Sequence, residues 1–294
     1  MASRLFLRAG ELEVRLEPAT GGCIARFDRL GPQGRRPLLR GAGDTLNDVL
    51  QAACFPLVPF ANRIRGGHFD CAGRRVTLAP NMAGDASPLH GQGWLASWQV
   101  LDAQEAHAVL GFRHRAGEWP WDYEAMQRFH LGPDRLRITL SCRNVSSEPM
   151  PCALGFHPYF PCEADTRLDT TVESAWTVDA DVLPVTNVPA VGHYSLENRL
   201  ICGQGLDNGF DGWNGDARIG WPNLSSSLSI RCADADRFQV YSPREGGVFV
   251  AEPVQNANAA LNEPASEWER LGIEMLAPGE KRSLTAEFVI EDRS

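Results

Sequence analysis

The sequence predicts an all-β protein, a large antiparallel β-sandwich, and three observations carry that expectation. First, apolar and polar residues alternate with period two. Leu136, Ile138, Leu140 and Cys142 interleave with Arg137, Thr139, Ser141 and Arg143, and Leu284, Ala286, Phe288 and Ile290 interleave with Thr285, Glu287 and Glu291. This is the pattern of strands buried on one face. Second, 28 Gly and 20 Pro supply the turns that separate these runs. Third, no strand–helix–strand rhythm is present, which argues against Rossmann and α/β-barrel organisation.

In chain order, further strands are expected at 11–16, 74–78, 98–101, 109–114, 123–131, 151–157, 228–232, 237–241, 248–252 and 272–276. Only 44–53 and 256–262 look helical, and both are short. Residues 179–216 are rich in Gly and Pro and read as a long loop region, the kind of segment that carries function on a rigid sandwich. Gly203-Gln204-Gly205 opens no strand-to-helix unit, so it gives little support to nucleotide binding.

Composition narrows the function classes. At 294 residues and 43% hydrophobic, the chain can bury a sizeable core, and with no linker or composition shift it reads as a single domain over 1–294. A formal charge of −9 disfavours nucleic-acid and anionic-membrane partners, which select clustered Lys and Arg. The first residues hold too short an apolar run for a signal segment, and no stretch approaches the ~18 apolar residues of a membrane span. A cytoplasmic location is expected. The eight cysteines form no C-x-x-C pair, so most are expected to be buried reduced thiols. The seven histidines have no H-x-H, H-x-x-x-H or H-E-x-x-H spacing, so a local metal site has little support and none is expected. Oligomeric state is not legible.

The most informative segment is Leu154-Gly155-Phe156-His157-Pro158-Tyr159-Phe160. Proline restricts the residue before it to extended backbone, so His157 is expected at the end of a strand with its ring aimed away from the backbone. A histidine so held suits a positioned acid or base, because its ordinary pKa lies near ~6.5. Four other segments also set polar groups beside apolar or aromatic ones: Pro59-Phe60-Ala61-Asn62-Arg63-Ile64, His90-Gly91-Gln92-Gly93-Trp94, the run from Gly205 to Trp213 with Asp207, and Phe249-Val250-Ala251-Glu252-Pro253. Such mixtures suit a sugar, whose hydroxyls need directional partners and whose C–H faces pack on rings.

Taken together and in this order, the five segments resemble the aldose 1-epimerase (mutarotase) family, as does Leu276-Ala277-Pro278-Gly279-Glu280 near the C-terminus. The resemblance implies a galactose-mutarotase-like sandwich with an open sugar cleft that interconverts α and β anomers without metal or organic cofactor. Matched motif by motif, it implies that Asn62, Arg63 and His90 bind substrate and that Asp207 holds a sugar hydroxyl. His157 is then the catalytic acid and Glu252 the catalytic base. Mutual attraction is expected to lower the pKa of Glu252 and raise that of His157. The chain is similar to the compact bacterial branch of the family. The primary expectation is a free hexose as substrate. The alternatives are a hexose 6-phosphate, for which Arg65, Arg74 and Arg75 are the cations at hand, and a non-catalytic sugar-binding or regulatory module.

Overall fold

Two antiparallel sheets lie face to face in the computed structural model, which describes residues 4–32, 34–224 and 226–292. From edge to edge, the larger, eleven-stranded sheet contains Leu5–Ala9, Leu12–Glu17, Cys23–Gly31, Cys54–Leu57, Gly155–Pro161, Val248–Val254, Arg237–Ser242, Leu206–Asp211, Ser174–Val178 and Pro184–Pro189, with Gly34–Pro37 pairing beside Cys23–Gly31. The nine-stranded sheet contains Arg199–Leu200, Arg167–Thr170, Asp216–Gly220, Ser226–Arg231, Lys281–Asp292, Arg135–Asn144, Tyr123–Leu131, His107–His114 and Gln99–Ala103. Two small pairs complete the set, Met150–Cys152 with Glu274–Leu276 and His68–Cys71 with Arg74–Thr77.

The alternation that predicts the strands also sets their faces. Leu140 pairs with Leu284 and Leu136 with Phe288, so the apolar phases of both strands enter one core. Phe160 bridges the sheets, stacking on Phe249 at 5.2 Å between centroids and meeting Phe288 of the other sheet at 6.5 Å. Each such side chain buried in the core stabilises the fold by roughly 1.5–3 kcal/mol. The opposite face of the larger sheet carries a second, smaller apolar cluster, with Cys23, Ala25, Phe55, Leu57, Trp94, Tyr159 and Val250 among its members. The larger sheet is therefore covered on both faces near its middle, and the smaller cluster underlies the cleft described below.

Four local expectations are corrected. Residues 44–53 hold only the 3₁₀ turn Val49–Gln51, capped by the Asp48 carboxylate, which accepts from the Leu50 N–H at 2.9 Å. Residues 256–262 hold only Ala260–Asn262. In that segment the Asn256 side chain donates to the adjacent Ala257 carbonyl, a local bond that competes with helix formation, and Asn256 and Asn258 also accept from the distant Ala61 and Arg63 N–H groups. The 179–216 region is not simply loop: it contains Pro184–Pro189 and Leu206–Asp211. Pro184 and Pro189 are tolerated because theirs is an edge strand. The 151–157 strand divides into Met150–Cys152 and Gly155–Pro161, which puts His157 inside a strand rather than at its end. Six cysteines are buried and free as expected, but Cys162 and Cys202 are joined in a disulfide across 40 positions. No described helix is long and apolar enough to cross a membrane.

Candidate active site

The cleft floor follows a row of paired positions running across five strands of the larger sheet. Gly155 pairs with Val254 and Tyr159 with Val250, a register that sets His157 opposite Glu252. On the flanks, Phe55 stands opposite His157, Gln239 opposite Glu252, and Gly209 opposite Gln239. Side chains alternate between faces, so Phe156, Phe160 and Ala251 enter the inter-sheet core while His157 and Glu252 face outward. Between the paired positions lie Pro158 and Pro253, neither of which has an N–H to give. The ladder between the two strands is interrupted where the site sits.

His157 Nε2 lies 3.5 Å from Glu252 Oε1, and the side chains are 12% and 4% exposed. The imidazole is stacked on Phe55 at 4.4 Å, packs against Tyr159 at 4.7 Å and meets His90 edge-on at 5.5 Å. Phe55 is backed in turn by Trp94 at 5.4 Å. This apolar clamp fixes the ring's plane.

One wall comes from the segment after the cis Val58–Pro59 bond. Asn62 and His90 both have left-handed backbone, with φ of 64° and 60°. The turns lock together: the Asn62 N–H donates to His90 Nδ1 at 3.0 Å, and the His90 N–H donates to the Asn62 carbonyl at 3.0 Å. Because Nδ1 accepts, neutral His90 carries its hydrogen on Nε2. Arg63 Nε donates to Asp85 at 2.9 Å and Arg63 Nη1 to the Asn62 side-chain oxygen at 3.2 Å. On the far side, Asp207 accepts from Gln239 Nε2 at 2.8 Å. The resulting cavity has a volume of ≈ 290 Å³, and all six residues singled out from the sequence line it: Asn62, Arg63, His90, His157, Asp207 and Glu252.

Burial dominates the electrostatics. It pushes His157 down to about 3, against its usual 6.5, and pushes Glu252 well above the ordinary carboxylate range, with Asp207 adding to the rise and Arg63 opposing it. The expected directions, a lowered Glu252 and a raised His157, are therefore reversed, because desolvation outweighs pairing at this depth. His90 is held far below its usual value, first by burial and then by His157 and Arg63, so it stays neutral. Asp207 is raised, mainly by burial. Tyr159, under the Arg40 guanidinium at 3.6 Å, is pushed up to about 12 by burial despite that cation.

The sequence profile of the family described as aldose 1-epimerase matches residues 12–288. The chain belongs to the aldose 1-epimerase family. Among relatives, the uncharacterised protein YphB of Escherichia coli K12 is 38% identical over 205 residues, spanning 69% of this chain and 68% of that one. A crystal structure of a candidate aldose 1-epimerase from Escherichia coli K12 superposes with a TM-score of 0.89 at 31% identity, covering 99% of each chain. A galactose mutarotase-like protein from Clostridium acetobutylicum shares the fold, with a TM-score of 0.86 at 19% identity over 98% of this chain and 94% of that one.

Several cleft residues of this aldose 1-epimerase-family chain escaped the sequence reading. Gln239 and Tyr241 lie on a strand that was expected, but their role depends on sheet order, which no local pattern encodes. Phe55 lies on the short strand Cys54–Leu57, which carries no motif, and Asp85, the partner of Arg63, comes from a loop that carries none either. Trp94 and Tyr159 stood in the quoted segments, where aromatic content was the signal. Among the described residues, no group of three or more His, Cys, Asp or Glu is gathered so as to hold a metal ion.

Proposed function

We propose that this chain is an aldose 1-epimerase acting on a free, uncharged aldose, with His157 and Glu252 exchanging protons with the anomeric centre. The observation that carries the reading is the 3.5 Å approach of His157 Nε2 to Glu252 Oε1 on the floor of the cleft. The ring oxygen and the anomeric hydroxyl are bonded to the same carbon, so an acid and a base that serve both at once must stand a few ångströms apart.

The proton count follows. Ring opening moves a proton from His157 to the ring oxygen while Glu252 takes the proton of the C1 hydroxyl. The aldehyde rotates about C1–C2, and the reverse transfers close the ring with either configuration. The pair holds one proton throughout: imidazolium with carboxylate before opening, imidazole with carboxylic acid after it. Burial favours the second arrangement, and the attraction between opposite charges 3.5 Å apart favours the first. Neutral His90 supplies an Nε2–H for a sugar oxygen, while Arg63 and Asp207 supply a donor fork and an acceptor for further hydroxyls.

Two features support an uncharged monosaccharide. The ≈ 290 Å³ cavity lies at the small end of ligand pockets. Among the described residues its one lining arginine is Arg63, already paired with Asp85, and Asp207 and Glu252 add acidity. The cations considered for a phosphate are engaged elsewhere. Arg65 donates to the Pro184 carbonyl, Arg74 lies over Trp121, and Arg75 forks onto Asp70.

The test is polarimetry on freshly dissolved aldoses and their 6-phosphates at two salt concentrations. We expect acceleration for at least one neutral aldose, with a KM that barely changes as the Debye length falls from ~30 to ~8 Å. Turnover confined to a phosphate, with a salt-sensitive KM, would overturn the substrate class. Binding without acceleration of any sugar would overturn the enzyme reading.

A further inference from the structure

The segment that carries Asn62 and Arg63 is held along one edge by main chain and along the other by asparagine side chains. On the first edge it bonds to the 88–91 turn, through His90 N–H to the Asn62 carbonyl and Ile64 N–H to the Pro88 carbonyl. On the second, Asn256 Oδ1 accepts from Ala61 N–H at 3.0 Å, and its Nδ2 returns to the Ala61 carbonyl at 3.0 Å. Asn258 Oδ1 accepts from Arg63 N–H at 3.2 Å, and Asn262 Oδ1 from Arg65 N–H at 2.7 Å. Ala61, Arg63 and Arg65 are spaced by two, as are the outward groups on one edge of a strand. Three asparagines thus stand in for a missing partner strand. Asn256 and Asn258 are 3% and 9% exposed, so their bonds are shielded from water.

Between the first two clamped positions lies Asn62, whose φ of 64° is uncommon for a residue other than glycine. Such a conformation persists where the surroundings over-determine it. Here it aims the Asn62 N–H at His90 Nδ1.

We propose that Asn256 and Asn258 are positioning residues: by fixing the main chain at Ala61 and Arg63, they hold the Asn62 N–H on His90 Nδ1 and thereby decide which ring nitrogen of His90 carries the hydrogen offered to the sugar. Asn258 also ties the site to the Ser174–Pro189 hairpin, since its Nδ2 donates to the Val182 carbonyl at 2.9 Å. The inference rests on the functional reading for the use of His90 and Arg63, but not for the tautomer itself.

The experiment is ¹⁵N NMR of the histidine side chains. In the wild-type protein His90 should show a single neutral tautomer protonated at Nε2, with a coupling through the hydrogen bond from the Asn62 amide nitrogen to Nδ1. Asn256→Leu and Asn258→Leu, checked for folding by thermal unfolding, should give mixed tautomers. Their KM for an accepted aldose should rise by about five- to tenfold with kcat within about twofold, as expected for the loss of one shielded hydrogen bond. Asn258→Asp keeps the acceptor for Arg63 N–H and should restore the Nε2–H tautomer. A folded Leu variant with the wild-type signal would overturn the proposal. So would a wild-type protein without the coupling, whatever the variants do. Absence of epimerase activity would sink the functional reading alone and leave the tautomer result to stand or fall by itself.

Discussion

His157 and Glu252 face each other from neighbouring antiparallel strands, with the nitrogen of one 3.5 Å from the oxygen of the other. Neither His157 Nδ1 nor Glu252 Oε2 has a hydrogen-bond partner among the described residues, although both are buried. A buried polar atom left unpaired is costly, and the functional reading gives this pair its explanation: the groups are kept for a ligand and for each other.

Glu252→Gln preserves size and His157→Asn keeps a polar side chain while removing the ring; both should fold, yet each should lower the rate of anomer exchange by ~10²–10⁴, the range for removal of a positioned acid or base. The measurement is kcat/KM by polarimetry or a coupled assay, alongside a thermal unfolding curve. A folded Glu252→Gln protein with near-wild-type turnover would remove Glu252 as the base.

The pH dependence of stability follows from the two shifts. Glu252 is raised, so its contribution is fully present below the unfolded value near 4.5 and is lost as pH rises through the higher folded value. Glu252→Gln avoids that loss, and its Tm should exceed the wild-type Tm by a margin that grows as pH rises above 4.5. His157 is lowered to about 3, so its contribution is present above 6.5 and disappears as pH falls through 3. His157→Asn should therefore lose less Tm than the wild type over that acidic window. Parallel Tm–pH curves for all three proteins would refute the buried-pair account.

Gly91 should be far less replaceable than Gly84. Both have positive φ, at 68° and 86°, but a Cβ at Gly91 would lie 2.1 Å from the Val58 carbonyl oxygen, whereas one at Gly84 meets nothing within 4 Å. Gly84→Ala should carry only a backbone strain of about 1 kcal/mol, and Gly91→Ala that strain plus displacement of the adjoining His90 turn, about 3 kcal/mol in all. Denaturant midpoints compare them directly. An equal cost would show that the contact at Val58 relaxes freely.

Strand character was legible wherever one face is buried, because period-two alternation is a local signal. Arg135–Asn144 and Lys281–Asp292 were readable for that reason, and they prove to be direct neighbours. Leu206–Asp211 was hidden by its glycines, although Leu206, Asn208 and Phe210 alternate inward correctly. The six candidate residues that line the cleft are visible in the sequence because each sits in a short segment with mixed chemistry. Gln239 was not, since only the pairing of its strand with that of Glu252 brings it to the cleft. The pKa directions of His157 and Glu252 are not legible in the sequence, which displays charges but not their depth.

The floor of the cleft draws on segments as far apart as Phe55 and Glu252, aligned only by strand register. Its weak point is therefore length rather than chemistry. Deleting one residue between Gly155 and His157 would turn the imidazole toward the inter-sheet core and bring an apolar or imino side chain to the cleft, since a slip of one position exchanges the two faces of a strand. Insertions in the Pro243–Gly246 turn leave the strand phase untouched and should be absorbed outside the row. Natural variation in this chain should thus fall as changes of loop length between strands, with the strand interiors themselves fixed in count.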